Sequence, residues 1–222
     1  MHVDQPHHRR RERQPRTRRL LLPVFFGRIG HVSMIVPMAE KPVREVIHRG
    51  ARFDFELVAA TGRDGVTNRR EVVRHPGAVV VLPLLPDGRI ALIRNRRIAV
   101  EADLWELPAG TLEPGEDPAR CAARELEEEA GYTAGRVRKI GAFYTTPGMT
   151  DELMRAYLAT DLRQVGQRLE ADEQIEVHIL DRQEALNMIE SGELMDAKSM
   201  LALLIAERRG LLTLGDARED DR

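Results

Sequence analysis

The sequence predicts an α+β fold in which a mixed β-sheet is flanked by helices and preceded by antiparallel strands. Three observations carry this. Phe53, Phe55 and Leu57 alternate with Arg52, Asp54 and Glu56, the period of a strand with one buried face. Further strand candidates lie at residues 70–74, 78–85 and 89–94, and Pro86-Asp87-Gly88 supplies a turn between the last two, so those two form a hairpin. One sharply bounded helix follows, opening at Asp117-Pro118, an N-cap residue with proline at the first helical position, and closing at Gly131.

The remaining elements follow in order. Strands are expected at residues 137–143, 153–159 and 175–180, then helices at Arg182–Ser191 and residues 197–209, the second burying Leu201, Leu203, Leu204 and Ile205. Helices on both sides of a mixed sheet are the simplest way to cover all these apolar faces. The chain divides into an N-terminal extension (residues 1–40), a strand subdomain (41–75), a main domain (76–210) and a flexible acidic tail (211–222).

Composition narrows the functional classes. The 222 residues have a formal net charge of −2, which gives no reason to expect nucleic acid or membrane as a partner. The charge is uneven, since residues 1–41 carry eight Arg and one Lys against Asp4, Glu12 and Glu40, a net of +6 that leaves −8 for the rest. Cys121 is the single cysteine, so no internal disulfide forms; this fits a reducing, cytoplasmic setting. The seven histidines show no close metal-ligand spacing, so a metal here would be held by oxygen.

Residues 1–19 are too rich in Arg, His and Pro to fold alone. Residues 20–37 are apolar but interrupted by Pro23, Gly27, Arg28 and Gly30, too broken to span a bilayer. An export or transit signal and an upstream start, with translation beginning at Met34 or Met38, are both open; the second is preferred. The arginines alone are a charge run, without the interleaved aromatics of a nucleic-acid site.

The helix from Asp117 is the segment that speaks to chemistry. Ala119, Ala122, Ala123, Leu126 and Ala130 form an apolar stripe, and Glu125 and Glu129 lie one turn apart at its border, with Glu128 beside them. Such a cluster repels itself. Arg124 can neutralise one carboxylate, and hard divalent cations are the usual remedy for the others.

Residues 110–132 read GTLEPGEDPARCAARELEEEAGY: Gly110, five residues, Glu116, seven residues, Arg124-Glu125-Leu126, one residue, Glu128-Glu129, one residue, Gly131. This pattern resembles the Nudix box at each fixed position, far more specific than a short glycine motif. Tyr132, where an aliphatic residue is commoner, is the one departure.

The resemblance, which runs over residues 41–210, implies a Nudix-type α/β/α sandwich and a metal-dependent hydrolase of nucleoside diphosphate compounds. It implies that Glu125, Glu129 and Glu128 bind two or three Mg2+, with Mn2+ as a substitute, and that the Ala109 carbonyl adds a ligand. Glu116 and Arg124 would hold loop to helix. Trp105-Glu106-Leu107-Pro108-Ala109-Gly110 upstream, and Thr145 to Glu152 with Pro147 fifteen residues after Tyr132, resemble the ADP-ribose pyrophosphatase branch. That branch implies a glutamate base on a loop after the box, Glu173 first and Glu170 second, and phosphate- or ribose-binding arginines, Arg97 and Arg94. It also implies a homodimer formed through the N-terminal strands, with Arg52, Phe53 and Phe55 near the adenine site. The branch's usual Gln-Tyr before the arginine is replaced here by Asn95-Arg96. Trp105 admits two readings, a platform for adenine or part of the core. A nucleoside diphosphate sugar other than ADP-ribose, a dinucleotide, and a non-catalytic nucleotide sensor are the alternatives for function. Sensors usually lose box carboxylates, which this chain keeps.

Overall fold

The computed structural model describes residues 41–171 and 173–212; the arginine-rich extension, Asp172 and most of the acidic tail lie outside them. Strands β1 (Val43–Arg49), β2 (Asp54–Thr61) and β3 (Thr67–Arg74) form a separate antiparallel meander in that order. The β2–β3 turn is closed by Asp64, whose carboxylate accepts from the Val66 N–H at 3.0 Å, beside Gly65 at a φ of 78°, a left-handed position that suits glycine.

The main domain contains β4 (Ala78–Pro83), β5 (Ile90–Arg97), β6 (Ala102–Glu106), β7 (Ala109–Thr111), α1 (Pro118–Ala130), β8 (Tyr132–Tyr144), β9 (Leu153–Gln164), β10 (Ile175–Leu180), α2 (Arg182–Ser191) and α3 (Ala197–Arg208). One sheet has the order β7-β4-β9-β8, with β4 and β9 parallel and the other pairs antiparallel; the second has the order β10-β5-β6 and is antiparallel. All six residues of β4 are buried, as an unbroken apolar run requires when both faces of a strand are covered. Val79 and Val81 pack with Cys121, Ala122 and Leu126 of α1. Val80 and Leu82 point the other way, into a cluster with Ala202 and Leu203 of α3. Alternation along one strand thus builds both halves of an α/β/α sandwich, the fold the sequence implied. Full burial of each large side chain contributes about 1.5–3 kcal/mol.

The structure corrects several local expectations. Residues 102–106 and 109–111, given no element from the sequence, are strands. On α1, Ala123 is exposed and Cys121 takes its place in the core; packing against β4 selects the face, and small alanines carry little signal of their own. On α3, Leu203 is buried, whereas Leu201 and Leu204 are exposed. Leu212, after α3, is 3% exposed and packs in the α3 cluster. No helix among the described residues is long and apolar enough to cross a membrane.

Candidate active site

Helix α1 is fixed at both ends. The Asp117 side chain accepts from the N–H groups of Ala119 and Arg120 at 2.9 and 3.1 Å, and Gly131 closes the helix at a φ of 73° with its N–H on the Glu127 carbonyl at 3.1 Å. A Cβ at Gly131 would also crowd the backbone of Gly166 and Gln167, so glycine is required twice over. Leu126 and Ala130 anchor the helix in the core. Glu125 and Glu129, on the same side, are consequently only 8% and 3% exposed.

Strand β7 meets this face of α1. The Ala109 N–H donates to Glu129 Oε2 at 2.7 Å. At Gly110, a Cβ would fall inside the Glu125 carboxylate, so glycine is what lets the strand pass with that carboxylate in place. Arg124 organises the rest: Nε lies 3.0 Å from Glu116 Oε1, and Nη1 lies 2.7 Å from Glu125 Oε1 and 2.8 Å from Glu128 Oε2. Glu116 also accepts from the Glu113 N–H at 3.0 Å, closing the loop between β7 and α1. Its hydrogen bond to Arg124 holds its carboxyl well below the usual range, at about 2.

The buried acids behave oppositely. Burial pushes Glu125 up to about 7; Arg124 opposes the shift, while Glu128 and Glu173 add to it. Burial raises Glu129 to about 8, offset in part by the Ala109 N–H and reinforced by Glu125 and Glu173. These carboxylates are short of positive charge. Among the described residues no group of three or more His, Cys, Asp and Glu side chains is arranged to hold a metal ion by itself; Arg124 stands between Glu125 and Glu128, and one oxygen of Glu129 is engaged by backbone. The donor set still suits a hard cation such as Mg2+, which keeps several waters and takes one or two carboxylates together with substrate phosphate. Three carboxylates within one turn, two of them raised by burial, fit that demand.

The α1 carboxylates form one wall of a cleft of about 820 Å3. It is also lined by Arg52 of the β1–β2 turn, Arg74 at the end of β3 and His75 after it, Arg97 of β5, Glu113, and the loop residues Glu170 and Glu173. Residues scattered through the sequence, namely Arg52, Arg97, Ala109, Arg124, Glu125, Glu128, Glu129, Glu170 and Glu173, are thus brought to one cavity. Glu170 reaches to 3.7 Å from Arg52, and Glu173 Oε2 accepts from the Glu170 N–H at 2.8 Å.

Trp105 and Pro147 do not join them. Trp105 points to the face of β6 opposite Glu106 and packs against the α3 cluster. It stands edge-on to His178 at 4.7 Å, with the Arg94 guanidinium 5.8 Å from its centroid; of its two readings, these contacts support core. Pro147 is exposed in a turn closed by the Met149 N–H on the Thr146 carbonyl at 2.9 Å. Phe53 lines no part of the cleft itself but stacks on His75 at 4.7 Å. The sequence reading missed Glu113, Arg74 and His75 as cleft residues. Glu113 sits between two box positions, so its place could have been inferred; the other two are placed by tertiary packing.

Comparison with known proteins agrees with this geometry. The NUDIX domain model matches residues 73–203. ADP-ribose pyrophosphatase of Bacillus subtilis is 40% identical over 169 residues, covering 75% of this chain and 91% of that protein. GDP-mannose pyrophosphatase of Salmonella typhimurium is 35% identical over 156 residues, covering 64% and 81%. The crystal structure of an ADP compounds hydrolase aligns with a TM-score of 0.67 over 78% of this chain and 96% of that one; its identity of 22% makes this a likeness of fold.

Proposed function

Because the chain belongs to the Nudix family and is a Nudix hydrolase, we propose that it hydrolyses ADP-ribose to AMP and ribose 5-phosphate. The observation that carries this reading is one cleft with buried Glu125 and Glu129 on one wall and Arg52, Arg74 and Arg97 on the others. Carboxylates alone would repel a diphosphate; carboxylates with divalent ions and arginines suit it.

In this reading Glu125, Glu129 and Glu128, with the Ala109 carbonyl, hold two or three Mg2+, and Mn2+ can replace them. Divalent ions bound there neutralise the diphosphate and lower the pKa of the attacking water. Arg97 orients a phosphate through the N–H groups not spent on Glu106. Glu173 takes the proton of the water as its oxygen bonds to phosphorus and the P–O bond of the anhydride breaks. Its electrostatic influence on both Glu125 and Glu129 favours it over Glu170, which faces Arg52. Arg124 keeps the carboxylates in register, and Arg52 receives the nucleoside side of the substrate. Pro147 shapes the turn whose Met149 carbonyl accepts from the Val73 N–H at 2.9 Å, next to the cleft wall.

A homodimer through the N-terminal sheet also belongs to this reading. Every residue of β1 is exposed, and Val43, Ile47 and Phe55 present apolar surface there, which a second copy would cover. Sedimentation velocity at micromolar concentration tests it. We place the reaction in the cytoplasm, in line with the single buried Cys121.

The likeness to a GDP-mannose pyrophosphatase keeps the same chemistry on another nucleoside diphosphate sugar as the second reading. Measuring kcat/KM with Mg2+ over a panel of ADP-ribose, GDP-mannose, other nucleotide sugars and dinucleotides separates the two. ADP-ribose is expected to rank first; another compound well above it would reassign the substrate.

A further inference from the structure

The ion pairs behind Arg97 include one more cation than Glu106 needs. Glu106 is 1% exposed and accepts from Arg97 Nε at 2.6 Å and Arg97 Nη2 at 2.5 Å. Its Oε2 also accepts from Lys198 Nζ at 2.6 Å. Lys198, near the start of α3, is itself largely buried and lies 3.0 Å from Asp196. Asp196 caps α3 by accepting from the Ser199 N–H at 3.1 Å, and Ser199 Oγ in turn accepts from the Leu107 N–H at 2.7 Å. This pins the helix start to the segment carrying Glu106.

Two carboxylates and two cations therefore balance behind the cleft. Nε and Nη2 of Arg97 are spent on Glu106, so Nη1 is the arm left for a ligand. Without Lys198, Arg97 would sit before two carboxylates, and the local charge would fall from zero to −1. A diphosphate approaching that side would then meet a negative rather than a neutral support, in surroundings where charges are weakly screened.

We propose that Lys198 is a positioning residue for phosphate binding: by sharing Glu106 and offsetting Asp196, it leaves the charge and the free arm of Arg97 to the substrate. This role rests on the reading of the cleft as a nucleoside diphosphate site.

The test is the kinetics of the full chain on ADP-ribose with Mg2+, comparing wild type with Lys198→Met, Lys198→Gln and Lys198→Arg. Lys198→Met is expected to raise KM about tenfold or more while kcat changes less, and Lys198→Arg to return KM to near wild type. Lys198→Gln keeps a hydrogen-bond donor for Glu106 without the charge, so it should show the same rise in KM if the methionine variant does not fold. An unchanged KM in the folded neutral variants, or an arginine variant as impaired as they are, overturns this role alone. A wild-type chain that turns over no nucleoside diphosphate compound overturns both this role and the reading beneath it.

Discussion

Helix α1 and the β1–β3 sheet contribute to the same cleft, yet they are held in different ways. On the α1 side each functional group is fixed by several short contacts. Asp117 and Gly131 cap the helix, Gly110 gives Glu125 its room, and Arg124 spans three carboxylates. The N-terminal sheet is regular within itself, with β2 and β3 paired along their whole length. Its ties to the main domain include the Phe53–His75 stack, the Arg74–Asp151 and Arg52–Glu170 ion pairs, and the backbone hydrogen bonds of Val73 to Met149 and Asp151. Groups that perform chemistry need positions fixed to fractions of an ångström, whereas a wall that recognises substrate can be built on fewer contacts.

The largest effect should come from Glu129→Gln on the rigid side. Its loss in kcat/KM should exceed the 10- to 100-fold, roughly, that removing an outer partner of a metal ligand typically costs. Glutamine does not have to take up a proton on folding as the Glu129 carboxyl does, so the Tm of chelator-treated protein near pH 7 should also rise. Loss of activity and gain of stability together would show that Glu129 is kept for function; undiminished activity with no rise in Tm would remove that contrast.

Gly110→Ala should separate the same two properties in another way. The added methyl meets the mobile end of the Glu125 side chain, so the carboxylate can swing aside with a change in Tm of only a few degrees. Activity should fall about tenfold or more, as displacement of a catalytic group by an ångström commonly costs. Undiminished turnover together with an unchanged Tm would contradict the close approach of β7 and α1.

The acidic wall should also show itself in pH dependence without metal. Glu125 and Glu129 keep protons to about 7 and about 8 in the folded state, against 4.5 as the ordinary value. The folded state therefore binds more protons across that interval, and its stability falls as pH rises from about 4.5 to about 8. Thermal unfolding in chelator should give a Tm that declines over this window, and millimolar Mg2+ should flatten the decline. A chelated protein whose Tm rises with pH there would contradict the shifts.

The smallest effect is expected on the N-terminal side. Phe53→Ala removes a ring stack worth about 0.5–1.5 kcal/mol beyond its buried area, and with it part of the support for the wall carrying Arg52. KM should rise a few-fold with kcat nearly unchanged, as steady-state kinetics would read. A fall in kcat as large as that of Gly110→Ala would erase the distinction between the two walls.

Much of this could be read from the sequence where local rules decide. Strand β4 announces itself as an unbroken apolar run, and α1 is bounded by Asp117-Pro118 and Gly131. The box spacing brought Glu116, Arg124, Glu125, Glu128 and Glu129 together before any coordinates. Strands β6 and β7 were missed because they are short and separated by Pro108; their identity comes from the partners β5 and β4. Leu201 and Leu204 read as core by composition, but α3 turns only part of its apolar surface inward. Lys198 had no signal at all. A lysine in the first turn of a helix reads as solvated, and the glutamate that holds it lies 92 residues earlier.

The central claim is that the glutamates of α1 work through divalent ions to break a phosphoanhydride bond. Product analysis of purified protein with ADP-ribose, in Mg2+ and in excess chelator, tests it most directly. The account predicts equal amounts of AMP and ribose 5-phosphate with Mg2+ and neither product in chelator. Undiminished release in chelator, or no nucleoside monophosphate from ADP-ribose or any compound of the panel with Mg2+ or Mn2+, would contradict it.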